Sequence, residues 1–199
     1  MRRTTTARSR AARALAALAL AACCAACGEA EPAPNQTPSV PLAEQVLEPA
    51  SLGPGERLPT ATGESFLTVT GRIAPGPADG RLRLDAAGLQ RLGLRKVTVF
   101  EPFVRQTVDF QGVWLADVLA AAEVSPSATS VHLTALDDYE TDLSMADIQA
   151  GVFLATRTGA GQAIPLEEGG PVRILIPGDI PSGTTDAKWI WSLSTVEVR

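Results

Sequence analysis

Residues 169–178 read Gly-Gly-Pro-Val-Arg-Ile-Leu-Ile-Pro-Gly, and this stretch decides the fold class. Its centre, residues 172–176, is a short apolar run bounded on both sides by Gly and Pro, which is typical of a buried strand. Another apolar strand is predicted just upstream at residues 152–156, and a glycine-containing turn at 158–161 follows it. Neighbouring strands of this length indicate a core built on sheets.

The same kind of pattern extends outward over about residues 64–199. Alternating apolar and polar residues predict further strands at 66–70, 81–84, 95–101, 105–110, 131–136, 141–143 and 189–198. Apolar residues at helical spacing predict short helices at 86–92, 113–122 and 145–149, and Asp85 and Ser144 are suited to cap the first and the last. We therefore expect a mainly β, α+β domain with mixed sheets and a few short helices.

The charges exclude one class of partner. The chain of 199 residues has a formal net charge of −5, and the five arginines among residues 1–22 stand there without any acid. Without that segment, 12 basic side chains face 22 acidic ones. A body of this charge repels phosphate backbones, so nucleic acid is not an expected partner.

The N-terminus predicts export and lipidation. A basic stretch at 1–13 precedes an apolar run at 14–22 that is too short to span a bilayer, as in a signal peptide. The run ends in Leu-Ala-Ala before Cys23, which resembles the bacterial lipobox and makes Cys23 the lipidation site. Cys27 fits the box less well, and a plain secretory signal is the alternative. The expected location is the periplasmic or cell-surface side of a bacterial membrane.

The chain then divides into a tether and a folded body. Residues 23–62 are rich in Pro, Ala, Glu and Gly without apolar periodicity, which predicts a lipidated, disordered tether. Residues 63–199 are long enough for one hydrophobic core. All three cysteines, at positions 23, 24 and 27, precede this body, so it contains no thiolate ligand, nucleophilic cysteine or disulfide.

Several stretches, taken in order along the chain, resemble the molybdopterin-binding domain of the sulfite oxidase family. The resemblance rests on residues 152–157, on the Gly-Gly-Pro stretch at 169–178, and on Lys188-Trp189 before a final strand. Residues 110–119 resemble the family's helix entry, and residues 137–139 fall where the family has a loop beside its pocket. The similarity covers nearly all of residues 64–199. It is greatest to short exported members and implies their fold.

The resemblance also implies a cofactor site that lacks its metal ligand. In the family's enzymes a cysteine after the strand equivalent to residues 97–100 ligates molybdenum, and histidine and several arginines surround the pterin. This sequence has Glu101 there, and its one histidine, His132, lies in an alternating run that predicts a strand face. A thiolate is a soft ligand that a carboxylate does not replace electronically.

The pocket residues implied by the resemblance include acids, cations and aromatics. They are Glu101, Asp137, Tyr139, Arg157, Lys188 and Trp189. Trp189 and Trp191 would face the same side of an extended segment and offer a stacking surface. The cations, with Arg173, either bind a polar or anionic ligand or pair with surface acids. Asp137, Asp138, Glu140 and Asp142 are either a site for a hard cation or, as their spacing favours, a solvated loop.

We therefore expect a cell-envelope lipoprotein whose domain has lost molybdenum chemistry, a pseudoenzyme that serves as a binding or accessory module. Its expected partners are the membrane, through the lipid anchor, and a small polar or anionic ligand or an envelope protein; no cofactor is expected. A molybdopterin-dependent oxidoreductase of the sulfite oxidase family and a purely structural domain remain the alternatives.

Replacing the proposed lipid site tests the anchor. Cys23→Ser should move the protein from the membrane fraction to the soluble fraction, because the diacylglycerol would have no thiol to attach to. Immunoblots of fractionated cells measure this, with Cys27→Ser as the matched control that should stay in the membrane. Retention of the Cys23→Ser protein in membranes would contradict the assignment.

Overall fold

Alternating apolar side chains build two five-stranded sheets in the computed structural model, which describes residues 43–53, 56–74 and 79–199. The first sheet contains β1 (Ala43–Val46), β4 (Arg95–Glu101), β5 (Gln106–Trp114), β8 (Phe153–Thr158) and β9 (Arg173–Leu175). Its order is β1-β4-β5-β8-β9, and every pair of neighbours is antiparallel.

The second sheet contains β2 (Leu67–Gly71), β3 (Leu82–Leu84), β6 (Ser130–Ala135), β7 (Glu140–Ser144) and β10 (Leu193–Val198). Its order is β3-β2-β10-β6-β7. The pairing of β10 with β2 is parallel and the others are antiparallel, so the sheet is mixed. The final strand thus lies at the centre of its sheet, between the first and third strands of that sheet along the chain.

The described residues also form three short α-helices, α1 (Ala86–Gln90), α2 (Leu115–Ala121) and α3 (Met145–Gly151). In the same part of the chain, 3₁₀ helices lie at Leu166–Glu168 and Asp186–Lys188. Buried apolar side chains from both sheets and all three α-helices form one core. The prediction of a mainly β, α+β domain with mixed sheets is confirmed.

The helix caps follow the predicted chemistry. The Asp85 side chain accepts a hydrogen bond from the Gly88 backbone N–H at 2.7 Å. Ser144 and Asp147 form a capping box, in which each side chain accepts from the other's backbone N–H. One helix begins two residues later than predicted, at Leu115, because residues 113 and 114 continue β5. The last strand begins at Leu193 and not at residue 189.

The prediction of a disordered tether through residue 62 is wrong for residues 43–53 and 56–62. Strand β1 pairs with β4, and Leu58 is only 5% exposed. All four side chains of β1 are exposed, so its order comes from the backbone ladder, which composition does not reveal. The Glu44 carboxylate adds an ion pair with Arg95 at 2.8 Å. The predicted signal peptide and Cys23 lie outside the described residues.

Within the described ranges, no helix is both long enough and apolar enough to cross a bilayer.

The segment between β9 and β10 is held against α3 by polar contacts. Asp147 is 1% exposed and accepts hydrogen bonds from the backbone N–H and hydroxyl of Ser182, at 2.9 and 2.8 Å. Lys188 Nζ donates to the carbonyls of Ser182 and Gly183 at 3.1 and 2.6 Å. These bonds fix the position of residues 182–188.

The Asp147 carboxylate is stabilised in its charged form. Burial alone would raise the pKa of Asp147, but hydrogen bonds from Ser182 and Ser144 outweigh burial and lower the pKa from 3.8 to about 2. A lowered pKa means that the contribution to stability is complete above pH 3.8. It is lost as the pH falls from there through about 2.

Asp147→Asn should lower the free energy of unfolding by about 2 kcal/mol at neutral pH, because hydrogen bonds to a charged acceptor are lost. The difference from the wild-type protein should narrow as the pH falls from 3.8 towards 2, since protonation removes the same charge. Urea unfolding at several pH values measures both. Asp179→Asn, which changes an exposed aspartate, is the matched control and should be neutral. A difference that does not depend on pH would contradict this account.

Candidate ligand pocket

The alternation of β4 places a carboxylate inside the protein. Glu101 is the last residue of β4 and shares the inward face of Val97 and Val99, so its side chain is only 1% exposed. Its Oε1 accepts a hydrogen bond from Arg173 Nη2 at 2.5 Å. Its Oε2 accepts one from the Val104 backbone N–H at 2.7 Å. Both oxygens are therefore engaged, as a buried carboxylate requires.

The partner cation lies between aromatic rings. Arg173 comes from β9, is 5% exposed, and has its guanidinium carbon 4.5 Å from the centre of the Trp191 ring and 5.2 Å from that of Phe110. Its Nη1 donates to the Glu168 carbonyl at 3.2 Å. Its Nε has no hydrogen-bond partner in the described structure. Burial lowers the pKa of Arg173, against the raising effect of Glu101, and a guanidinium remains protonated.

The two glycines of the Gly-Gly-Pro stretch allow two close approaches, one to the Trp191 side chain and one to the Ile164 backbone. Gly169 has φ +83°, and a Cβ added there would lie 2.6 Å from Trp191 Cγ. The Gly169 carbonyl accepts a hydrogen bond from the Ser192 backbone N–H at 2.7 Å. At Gly170 a Cβ would lie 1.8 Å from the Ile164 carbonyl oxygen. A larger residue at Gly169 would collide with the indole ring, and one at Gly170 would collide with the Ile164 backbone, so Gly169 is the glycine that allows the indole ring to lie here.

Trp191 also lines a cavity of about 410 Å³. The cavity lies where four parts of the chain meet: the turn after β4, the loop between β6 and β7, the 3₁₀ helix at Asp186–Lys188, and the segment that follows it. Phe103 contacts Trp191 edge to face, with ring centres 5.6 Å apart. The Tyr139 hydroxyl donates to the Ala187 carbonyl at 2.7 Å. The lining residues are Phe103, Asp137, Tyr139, Asp186, Ala187, Trp189 and Trp191.

The structure brings together some of the predicted pocket residues. Asp137, Tyr139 and Trp189 line the cavity, and so does Trp191, the other residue of the predicted stacking surface. Glu101 does not line it but lies behind Trp191, joined to it through Arg173. The buried ion pair and the cavity are therefore adjacent, because Trp191 contacts Arg173 and also lines the cavity.

The other two predicted pocket residues lie elsewhere, which corrects their assignment. Arg157 is on β8, and its Nη2 donates to Gln90 Oε1 at 3.3 Å near α1. Lys188 is next to the cavity wall in sequence, but its ammonium group donates into the 182–183 turn. The carbonyls and hydroxyl there satisfy the ammonium group, whereas the cavity is apolar and acidic.

Sequence reasoning missed Phe103, Asp186 and Ala187. Asp186 and Ala187 belong to a short 3₁₀ helix in a segment without strand or helix periodicity, so no pattern marks them. Phe103 lies in a turn that only the pairing of β4 with β5 defines. The sequence marks Arg173 as one of the candidate cations, but spacing alone cannot reveal its pairing with Glu101, which joins residues 72 positions apart.

The acidic residues of the β6–β7 region separate into two sets. His132 Nδ1 lies 3.0 Å from Asp142 Oδ1, and His132 Nε2 lies 3.5 Å from Glu140 Oε1. Asp137 instead lines the cavity. Among the described residues, no group of three or more His, Cys, Asp or Glu side chains is placed to hold a metal ion. His132 lies on a strand, as predicted.

A comparison of the whole sequence with known families identifies the type of domain. The chain matches the family described as the oxidoreductase molybdopterin binding domain over residues 84–199, more than half of its length, and it belongs to that family. This confirms the resemblance found in the sequence.

Among solved structures, the fold is similar to the sulfane dehydrogenase SoxCD from Paracoccus pantotrophus, with a TM-score of 0.53 and 18% sequence identity. The similarity covers 66% of this chain and 37% of that one, so this chain spans little more than a third of its length. At this identity the likeness concerns the fold. No curated protein matches the sequence.

Removing one charge of the buried pair should be costly. Glu101→Gln should lower the free energy of unfolding by about 3 kcal/mol or more, because it leaves the Arg173 charge buried without its counterion. The double variant Glu101→Gln/Arg173→Met should recover part of that loss, as coupled residues do.

Urea unfolding of the two single variants and the double variant measures this coupling. Glu167→Gln, which changes an exposed acid in the 3₁₀ helix beside Arg173, is the matched control and should be neutral. Strictly additive losses would mean that the two side chains do not interact.

Proposed function

We propose that the chain is a non-catalytic binding or accessory module of the cell envelope, built on a molybdopterin-binding-type domain that has lost molybdenum chemistry. The proposal rests on which residue occupies position 101 and on which partner that residue binds. The family's enzymes have a molybdenum-ligating cysteine after this strand, and here Glu101 is buried there and paired with Arg173. To serve as a ligand it would have to leave Arg173 as an unpaired buried charge.

The charge of the cavity also disfavours a pterin cofactor. Molybdopterin carries a phosphate group and is therefore anionic. Of the described residues that line the cavity, Asp137 and Asp186 are acidic and none is basic. The nearby cation, Arg173, is already neutralised by Glu101. The residues present do not fit the group, because its charge would meet carboxylates of the same sign.

The proposed place of action follows from the sequence. The basic segment, the short apolar run and Cys23 support export followed by lipidation, with the membrane as the first partner. The domain would then lie on the outer side of a bacterial membrane, free to bind a small ligand or an envelope protein.

Family membership keeps a molybdopterin-dependent oxidoreductase as the second candidate. A purely structural domain is a third, and the cavity argues against it. Phe103, Tyr139 and Trp191 are 50%, 43% and 36% exposed, although they are the large apolar side chains that a structural role would bury. Exposed aromatic groups around one cavity are a common feature of ligand sites.

Metal analysis of the full-length protein tests the proposal. Protein purified from the membranes of a molybdenum-replete host should contain molybdenum far below one equivalent and no releasable pterin. A family enzyme that retains the ligating cysteine, expressed in the same host, is the control and should be loaded. Molybdenum near one equivalent, with electron transfer to an artificial acceptor, would overturn the proposal.

A further inference from the structure

We infer that the cavity binds a small organic cation, an alkylammonium group carried on an apolar body. The inference rests on the proposed function, because it treats the cavity as free of molybdopterin. It names a ligand class that differs from the polar or anionic one expected from the sequence.

Four aromatic side chains supply the walls: Phe103, Tyr139, Trp189 and Trp191. Two of them are held in place by contacts within the wall. Tyr139 is tied by its hydroxyl to the Ala187 carbonyl, and Phe103 lies edge-on to Trp191. The faces of such rings are negative, so they attract a cation that has little hydration to lose. Quaternary and alkylated ammonium groups have this property.

The charged side chains described in the lining are both negative. Asp137 and Asp186 come from different loops, and both reach the cavity. Asp137 Oδ1 accepts a hydrogen bond from the Tyr139 backbone N–H at 3.2 Å, which orients its carboxylate. The Asp186 carboxylate has no hydrogen-bond or ion-pair partner among the described residues. Two acids, with no base among the described lining residues, favour a cation over an anion by direct attraction.

Neither neighbouring cation is among the lining residues described for the cavity, and neither pairs with Asp137 or Asp186. Lys188 donates its ammonium hydrogens to the 182–183 turn, and Arg173 is paired with Glu101. Arg173 also shows that the Trp191 indole can stack with a positive group, since the guanidinium lies 4.5 Å from the ring centre. A ligand cation in the cavity would meet the same indole.

A second cavity, of about 340 Å³, provides a contrast. It is lined by Glu56, Arg95, Asp117 and Glu123, among others, and these charges pair within the protein. Glu56 pairs with Arg91, Glu123 with Arg57, and Arg95 with Asp117. Its lining therefore leaves little unsatisfied charge for a ligand, unlike that of the aromatic cavity.

Three probes of one shape and different charge test the inference on the full-length protein. Choline is the cation, 3,3-dimethylbutan-1-ol is its neutral isostere, and 3,3-dimethylbutanoate is the anion. Tryptophan fluorescence should respond saturably, because Trp189 and Trp191 line the cavity. Choline should bind about twofold to thirtyfold more tightly than the alcohol, the range that a cation–π contact gives. The anion should bind most weakly.

Variants assign the binding to this cavity. Asp186→Asn should weaken choline binding about threefold or more and leave the binding of the neutral alcohol nearly unchanged, because only the cation gains from the charge. Asp179→Asn, a matched change of an exposed aspartate that does not line the cavity, should alter neither. Phe103→Leu should weaken both probes, with the larger loss for choline.

The outcomes separate this inference from the proposed function. Equal or tighter binding of the alcohol or the anion would overturn the cationic ligand and leave a molybdenum-free binding module. Absence of a saturable response to all three probes would also overturn it. Molybdenum near one equivalent in the same preparation would instead overturn the proposed function, whatever the probes do.

Discussion

A buried ion pair between a carboxylate and a guanidinium constrains the rest of this structure. Glu101 and Arg173 are each at most 5% exposed, and an isolated charge at either position would be strongly unfavourable. Each therefore requires the other, and together they join β4 to β9, which β5 and β8 separate in the first sheet. The aromatic rings of Phe110 and Trp191 then cover the guanidinium. Breaking the pair would disturb the sheet, the Gly169 turn and the cavity wall together.

The same pair determines what the cavity can attract. An arginine near a pocket would by itself attract an anion, but the charge of Arg173 is neutralised by Glu101. The lining is left with aromatic faces and the carboxylates of Asp137 and Asp186. The pairing of Glu101 with Arg173 thus leaves the described lining without the positive potential that would attract an anionic ligand.

The cavity is built by loops, and each loop is anchored to a regular element. The turn after β4 is held by Glu101 through the Val104 N–H, and residues 182–188 are held by Asp147 at the start of α3. Tyr139 links the β6–β7 loop to Ala187. Exposed aromatic side chains can therefore keep a defined arrangement although the residues around them belong to no strand. This is the general relation between a rigid scaffold and functional loops.

Periodicity and turn residues in the sequence alone were sufficient for the mainly β, α+β class and for the caps at Asp85 and Ser144, because these depend on neighbours in the chain. The motifs that occur in the family's order along the chain also identified the family. They placed Asp137, Tyr139 and Trp189 among the expected pocket residues. Tertiary structure alone decided the rest. It paired Glu101 with Arg173, turned Arg157 and Lys188 away from the cavity, and placed Phe103 and Asp186 in its wall. It also ordered β1, whose exposed side chains carry no signal because a neighbouring strand's backbone holds it. Contacts between residues far apart in the chain have no local pattern, and the chemistry of this pocket depends on them.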